Sequence, residues 1–181
     1  MVALLGICGS LRKASINRAL LDAVREALPG GAQMTVFSDL DLPIFNNDLE
    51  DPAAVGKLKV AIAAADGVVF GVPEYNYSIP GGLKNALDWV SRPPDAAPLR
   101  KKPVGMVGAA TGMSGTIRAQ SHLRQMLLFS DSPCLAQPEV LIARAHERFD
   151  ADGRLIDPST RALLERFGEA MVAFIERHAG A

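Results

Sequence analysis

Several features that mark common functional classes are scarce or missing in this sequence. Its two cysteines, Cys8 and Cys134, lie far apart without a C-x-x-C pair, so neither a zinc site nor a disulfide framework is indicated. The formal net charge of −1 gives no electrostatic footprint for nucleic acid or an anionic membrane. No stretch reaches the roughly 18 apolar residues that cross a bilayer, and the first residues lack the order of a signal peptide. We therefore expect a cytoplasmic protein that binds neither nucleic acid nor membrane.

Two familiar nucleotide-binding motifs are also absent. Gly6 and Gly9 are three positions apart and no third glycine follows them, so the sequence has no G-x-G-x-x-G. It has no G-x-x-x-x-G-K-[ST] either. Dinucleotide binding of the Rossmann kind and P-loop nucleotide hydrolysis therefore lose their main support.

Metal-ligand spacings are missing as well. The three histidines, His122, His146 and His178, have no second ligand nearby in the sequence. The stretch at 150–153 begins like a calcium loop but lacks the remaining ligands and the closing glutamate, so we interpret it as a turn. We predict no metal site and interpret all three histidines as structural or solvated.

Short apolar runs alternate with amphipathic stretches along the whole chain. The runs that predict strands lie at 2–8, 33–38, 66–72, 103–109 and 134–142. The stretches between them, and a last one that begins at Asp157-Pro158, predict helices. This alternation predicts a single doubly wound α/β domain over residues 1–181, with helices on both faces of a five-stranded parallel sheet. We expect the flavodoxin-like strand order 2-1-3-4-5, in which strands 1 and 3 flank the topological switch point.

The loop after the third predicted strand is the most informative part of the sequence. The residues from Glu74 to Ser78 combine two tyrosines, Tyr75 and Tyr77, with several hydrogen-bonding groups. The Pro80-Gly81-Gly82 stretch limits side-chain bulk where the next helix begins. A flat heteroaromatic ring would fit such a loop.

The loop after the first predicted strand is short and polar. It contains Ser10, Arg12, Ser15 and Asn17 and leads directly into an amphipathic helix, which Ser15 or Asn17 can cap. A helix amino terminus with small polar side chains and an arginine suits a phosphate group. The same residues would equally serve as helix caps and a solvated arginine, and the segment alone does not separate the two readings.

A third loop of small residues, at 110–116, follows the fourth predicted strand. In the expected strand order the three loops leave the carboxyl ends of strands 1, 3 and 4, beside the switch point where FMN is held in such sheets. A phosphate site in the loop after the first strand and a ring site in the loop after the third strand together predict FMN. A long loop at 39–50 is expected to cover one side of this site or to contact a partner.

Three motifs carry a resemblance to a known family. They are GSLRKASIN at 9–17, PEYNYSIPGGLKNALDWVSR at 73–92 and RAQSHLRQ at 118–125. With them the sequence resembles the NADPH-dependent FMN reductase family, which includes bacterial quinone, chromate and azo-dye reductases. The resemblance implies a homodimer or a dimer of dimers with FMN near the subunit interface.

The resemblance also implies roles for individual residues. Those implied to hold the phosphate and ribityl chain are Ser10, Arg12, Ser15 and Asn17, and those implied to line the isoalloxazine are Pro73, Glu74, Tyr75, Asn76 and Ser78. We add Tyr77 to this cofactor-binding set, together with Ala110, Thr111 and Gly112 at the ring's far edge. The sequence departs from the family pattern around 109–111 and 115–116, so this third loop is expected to contribute backbone contacts.

The function implied by the resemblance is that of an FMN-dependent NAD(P)H oxidoreductase. Hydride passes from NADPH or NADH through bound FMN to quinones, flavins, azo compounds or metal oxyanions such as chromate. Because the flavin carries the chemistry, no catalytic side chain is predicted, and Glu74 is assigned to loop structure or cofactor contact. Two alternatives stay open: a flavodoxin-type electron carrier, which a net charge of −1 supports little, and a binding or sensing module without FMN.

Overall fold

A computed structural model describes residues 1–179 of the chain; residues 180 and 181, the end of the predicted 1–181 domain, lie outside the described part. The strands are β1 (Val2–Cys8), β2 (Ala32–Phe37), β3 (Gly67–Gly71), β4 (Val104–Ala109) and β5 (Val140–Ile142). The helices are α1 (Ile16–Glu26), α2 (Ala53–Ala64), α3 (Gly81–Val90), α4 (Ile117–Leu127) and α5 (Pro158–His178), with a 3-10 turn at Ala145–Glu147. All strand pairs are parallel and their order is β2-β1-β3-β4-β5. The predicted α/β fold and strand order are confirmed.

The sheet separates two apolar cores. Successive strand residues point to opposite faces, so Leu5 and Ile7 of β1 join the core under α2, α3 and α4, whereas Leu4 and Cys8 join the core under α1 and α5. The central strands β1, β3 and β4 are buried on both faces. Continuous apolar runs in the sequence are the expected signature of such strands.

The fifth strand is shorter than predicted. The sequence pattern predicts a strand over 134–142, but β5 covers only Val140–Ile142, and Cys134 forms no more than an isolated bridge with Val104. Pro133 and Pro138 have no N–H to donate to a ladder, so the apolar residues between them cannot extend the strand.

No helix among residues 1–179 has the combined length and apolar character needed to cross a membrane.

Among the glycines near the carboxyl edge of the sheet, Gly108 in β4 has the least room for a side chain. A Cβ atom there would lie 1.8 Å from Thr116 Oγ1 and 2.7 Å from the carbonyl oxygen of Val72. Thr116 is fully buried and its hydroxyl accepts a hydrogen bond from Gln120 Nε2, at 3.1 Å. The hydroxyl therefore has no room to move away, and β4 can lie this close to the first turn of α4 only with glycine at 108.

We expect Gly108→Ala to lower the free energy of unfolding by about 3 kcal/mol, because the added methyl group overpacks this contact. The matched control is Gly56→Ala in α2, where a Cβ meets no atom within 4 Å. There the substitution is expected to raise stability by about 0.5–1 kcal/mol, since alanine favours the helix. Urea unfolding of both variants without added flavin measures the difference. Equal stability of Gly108→Ala and the native chain would contradict the overpacking argument.

Candidate functional site

A cavity of about 310 Å³ lies at the carboxyl edge of the sheet, between the loops that follow β1 and β3. It is lined by Gly9, Leu11, Arg12, Tyr75, Pro80, Gly81 and Gly82. The strand order reverses between β1 and β3, so the cavity occupies the topological switch point, where open α/β sheets hold ligands. Of the residues proposed from the sequence, Arg12 and Tyr75 line it directly.

The loop after β1 presents backbone donors. Within the described chain, none of the N–H groups of residues 13–17 donates to another protein group. Ser15 caps α1 by accepting a hydrogen bond from the Arg18 N–H, and Ser10 Oγ accepts one from the Arg12 N–H at 3.3 Å. Both serines are buried, whereas the Arg12 side chain is exposed. Free N–H groups at the positive end of a helix, beside a guanidinium, are the arrangement that binds a phosphate.

The buried side chain of Asn17 links α1 to β4 by hydrogen bonds. Its Nδ2 donates to the carbonyl oxygen of Ala109 and its Oδ1 accepts from the N–H of the same residue, both at 2.9 Å. The side chain is 3% exposed. Its second amide hydrogen is the donor left for another group, so the first role of Asn17 is to position the start of α1. No local pattern predicts these hydrogen bonds, because Asn17 and Ala109 are 92 residues apart in the sequence.

The loop after β3 contains a two-residue turn at 75–78. The N–H of Tyr75 donates to the Ser78 carbonyl at 2.9 Å, and the N–H of Ser78 donates back to the Tyr75 carbonyl at 3.0 Å. The two central residues, Asn76 and Tyr77, have φ angles of +49° and +64°. Two positive φ angles define a type I′ turn. A bulky side chain is strained in this conformation, so the 75–78 turn depends on its neighbours to hold it.

Helix α4 supplies the neighbours of this turn. Glu74 Oε2 accepts hydrogen bonds from the N–H groups of Arg118 and Ala119, at 3.0 and 3.2 Å, so Glu74 caps the amino terminus of α4. Glu74 also pairs with the Arg118 guanidinium at 3.1 Å, and its side chain is 9% exposed. A carboxylate used in this way belongs to loop structure, one of the two roles that we predicted for it.

A second contact from α4 reaches the end of the turn. Ser78 Oγ and His122 Nδ1 are hydrogen-bonded at 2.9 Å. We predicted that His122 would be structural or solvated, but the sequence analysis missed both this contact and the role of Arg118. The four-residue spacing of Arg118 and His122, which places both on one face of α4, was the signal that could have found them.

The third loop, at 110–116, is hydrogen-bonded to the end of β5 and to the residues just after it. The Ala110 N–H donates to the Ile142 carbonyl, and the carbonyls of Ala110 and Gly112 accept from Ala145 and Arg144 at 3.0 and 3.1 Å. Residues 110–112 do not line the cavity, and Thr111 and Gly112 are exposed. A contact between this loop and a cofactor therefore stays a prediction.

The long loop at 39–50 folds back on α3. Asn85 Nδ2 donates to the Pro43 carbonyl at 2.9 Å, while Asn85 Oδ1 accepts from the Phe45 N–H at 2.8 Å. The indole N–H of Trp89 donates to the same Pro43 carbonyl, also at 2.8 Å. These hydrogen bonds hold the 39–50 loop against α3. The first turn of α3, at Gly81 and Gly82, forms a wall of the cavity.

A larger groove, of about 1060 Å³, lies between α1 and the segment at 146–161. Its size does not make it the better candidate. It includes no residue of the loop after β3. Several of its charged side chains already pair with one another, as Asp22 does with Arg18 and Arg25. Residues 13–16, which carry free N–H groups, border this groove. The smaller cavity has the Arg12 guanidinium, the aromatic wall and the place in the sheet that a ligand requires.

Comparison with known proteins identifies the family of the chain. A family model described as NADPH-dependent FMN reductase matches residues 2–147. The chain is 43% identical to an NAD(P)H-dependent FMN reductase from Pseudomonas aeruginosa, over 99% of this chain and 98% of that protein. It is 39% identical to a quinone reductase from Escherichia coli K12, over 94% of each chain.

The solved structures add a likeness of fold. The flavoenzyme NAD(P)H:(acceptor) oxidoreductase of Paracoccus denitrificans superimposes with a TM-score of 0.89 and 35% identity, covering 98% of this chain and 99% of that one. The sequence match and the structural superposition therefore both cover nearly the full length of this chain. We conclude that the chain belongs to the NADPH-dependent FMN reductase family.

Proposed function

We propose that this protein passes hydride from NAD(P)H through FMN to quinones, and that free flavins, azo compounds and metal oxyanions such as chromate are further acceptors. Membership of the family makes the chain an oxidoreductase that uses FMN and NAD(P)H. Relatives named quinone reductases support quinones as the first acceptor class. The observation in the structure that carries the proposal is the cavity at the switch point, with Arg12 and Tyr75 in its wall and the start of α1 following Arg12 in the chain.

The residues around the cavity fit both ends of FMN. Its phosphate needs positive charge and donors, which Arg12 in the cavity wall and the free N–H groups at the start of α1, next to it in the chain, would provide. Its flat ring needs an apolar, unobstructed surface, which Leu11, Tyr75 and Pro80 provide beside two glycines. We therefore assign the phosphate to the loop after β1 and the ring to the loop after β3.

The other residues proposed from the sequence receive supporting roles. Ser10 and Ser15 shape the phosphate loop through their own backbone contacts, and Asn17 positions the start of α1. The ring would lie beside the segment that contains Pro73, Glu74, Tyr75, Asn76, Tyr77 and Ser78. The backbone of Ala110, Thr111 and Gly112 would approach from the β4 side.

The protein's part in the reaction is binding, orientation and charge balance. Bound FMN supplies the hydride acceptor and donor chemistry. Arg12 offsets the phosphate charge, and the free N–H groups beside it fix the phosphate against α1. Because Glu74 is committed to α4, we assign it no proton transfer. The cavity is open to solvent, so reductant and acceptor can occupy the same surface in turn.

The two other functions weighed from the sequence receive less support. An electron carrier of the flavodoxin type would share the fold, but the relatives reported above are named as reductases. A binding module without FMN is not supported by these relatives, which are named as FMN or quinone reductases.

We propose further that the protein forms a homodimer or a dimer of dimers. In support, α4 and the residue pair after it expose Ile117, Leu128 and Phe129, which are 44%, 77% and 61% exposed. We expect analytical ultracentrifugation to give two or four times the chain mass of 19.2 kDa. A single species at the mass of one chain, at micromolar concentration, would refute the proposed assembly.

Arg12→Ala is expected to weaken FMN binding about tenfold or more while leaving the fold intact, because a charge-assisted contact to the phosphate is lost. Equilibrium dialysis followed by the visible flavin spectrum measures the retained FMN. The control is Arg100→Ala, which removes an equally exposed charge outside the cavity. Unchanged flavin occupancy in Arg12→Ala would remove Arg12 from the site.

An anaerobic titration with NADPH, then NADH, tests the proposed function as a whole. We expect the purified protein, supplied with FMN, to show a bound-flavin spectrum that bleaches with at least one donor and recovers when a quinone is added. Flavin that stays oxidised with both donors would favour an electron carrier. A protein that binds no FMN would refute the site assignment.

A further inference from the structure

We propose that Arg118 is a positioning residue that latches the 75–78 turn to α4 and thereby sets the place of Tyr75 in the cavity wall. The effect on FMN rests on the proposed function, whereas the latch itself is a property of the chain.

The Arg118 guanidinium adds three contacts to the Ser78–His122 hydrogen bond and to the Glu74 cap of α4. Arg118 Nη1 lies 3.1 Å from Glu74 Oε1 and 3.0 Å from Ser114 Oγ. Its Cζ atom lies 4.3 Å from the centroid of the Tyr77 ring, within the range of a cation–π contact. Arg118 therefore connects the loop after β3, on both sides of Tyr75, with the loop after β4.

The 75–78 turn requires an external restraint. Asn76 and Tyr77 both have positive φ angles, and Tyr77 is 68% exposed in the single chain, so the core of its own chain does not compensate the strain at that residue. Inside the turn, the restraint is the pair of hydrogen bonds between Tyr75 and Ser78. The Arg118 guanidinium covers the ring of Tyr77, which is the residue under strain.

The two tyrosines consequently have different roles. Tyr75 lines the cavity, whereas Tyr77 does not. The ring of Tyr77 is instead the surface on which Arg118 stacks. Since the backbones of Tyr75 and Ser78 are paired across the turn, releasing Tyr77 would also release Tyr75.

At position 118, arginine can make all of these contacts at once, whereas lysine cannot. A planar guanidinium can stack on an aromatic face and at the same time donate from its edge to Glu74 and Ser114. A lysine ammonium can pair with Glu74 but cannot reproduce both geometries. Arg118→Lys is therefore expected to retain only part of the latch.

The experiment measures amide hydrogen exchange of the full chain by NMR, as purified and after removal of flavin, together with the rate of FMN dissociation. In Arg118→Ala we expect the amides of Tyr75 and Ser78 to exchange about tenfold faster, since an ion pair and a cation–π contact are lost. FMN dissociation is expected to accelerate by a similar factor, and Arg118→Lys to give intermediate values. Tyr77→Leu, which keeps Arg118 and Glu74 but removes the ring, should shift exchange in the same direction.

Arg166→Ala, an exposed arginine on α5, is the matched control and should change neither readout. Faster exchange confined to the turn supports the latch. Unchanged exchange at Tyr75 and Ser78 in both Arg118→Ala and Tyr77→Leu, or an equal increase across the whole chain, overturns it. If the native chain binds no FMN, the proposed function fails, and the exchange data still decide the latch.

Discussion

Parallel pairing of β1 with β3 places Cys8 opposite Gly71, and the Gly9 N–H continues the ladder to the Gly71 carbonyl at 2.9 Å. The two strands therefore end at the same level, and the loops that leave them emerge side by side. One loop begins a helix with unpartnered N–H groups and the other carries the 75–78 turn. The candidate site exists because this pairing joins stretches of chain that are about sixty residues apart in the sequence.

The loops around the site are held by buried or half-buried polar side chains. Asn17 fixes α1 to β4, Glu74 fixes the loop after β3 to α4, and Asn85 fixes the 39–50 loop to α3. Each satisfies backbone groups that would otherwise lose their partners, and removing such a side chain commonly costs about 1–3 kcal/mol. This arrangement positions a cofactor with a rigid frame while leaving the surface of the cavity open.

The charge distribution of the site agrees with a protein that binds and orients a flavin. Arg12 and the N–H groups after it have no acidic partner, whereas Glu74 and Arg118 form an ion pair, within the described residues. The side chains thus leave the redox step to the cofactor, and acceptor choice depends on access to its surface. This is consistent with relatives whose names include both FMN reductase and quinone reductase.

The sequence by itself determined the strand order, the three loops at one edge and the cofactor class, because apolar periodicity and loop composition are local properties. It also identified Arg12 and Tyr75, which line the cavity. It overestimated β5, where Pro138 interrupts the apolar run at 134–142. Only the tertiary structure decided that Asn17 binds Ala109, that Glu74 caps α4, and that Arg118 stacks on Tyr77. The partners in these contacts lie between 41 and 92 residues apart in sequence, so their pairing depends on how the helices pack across the sheet, which no local pattern records.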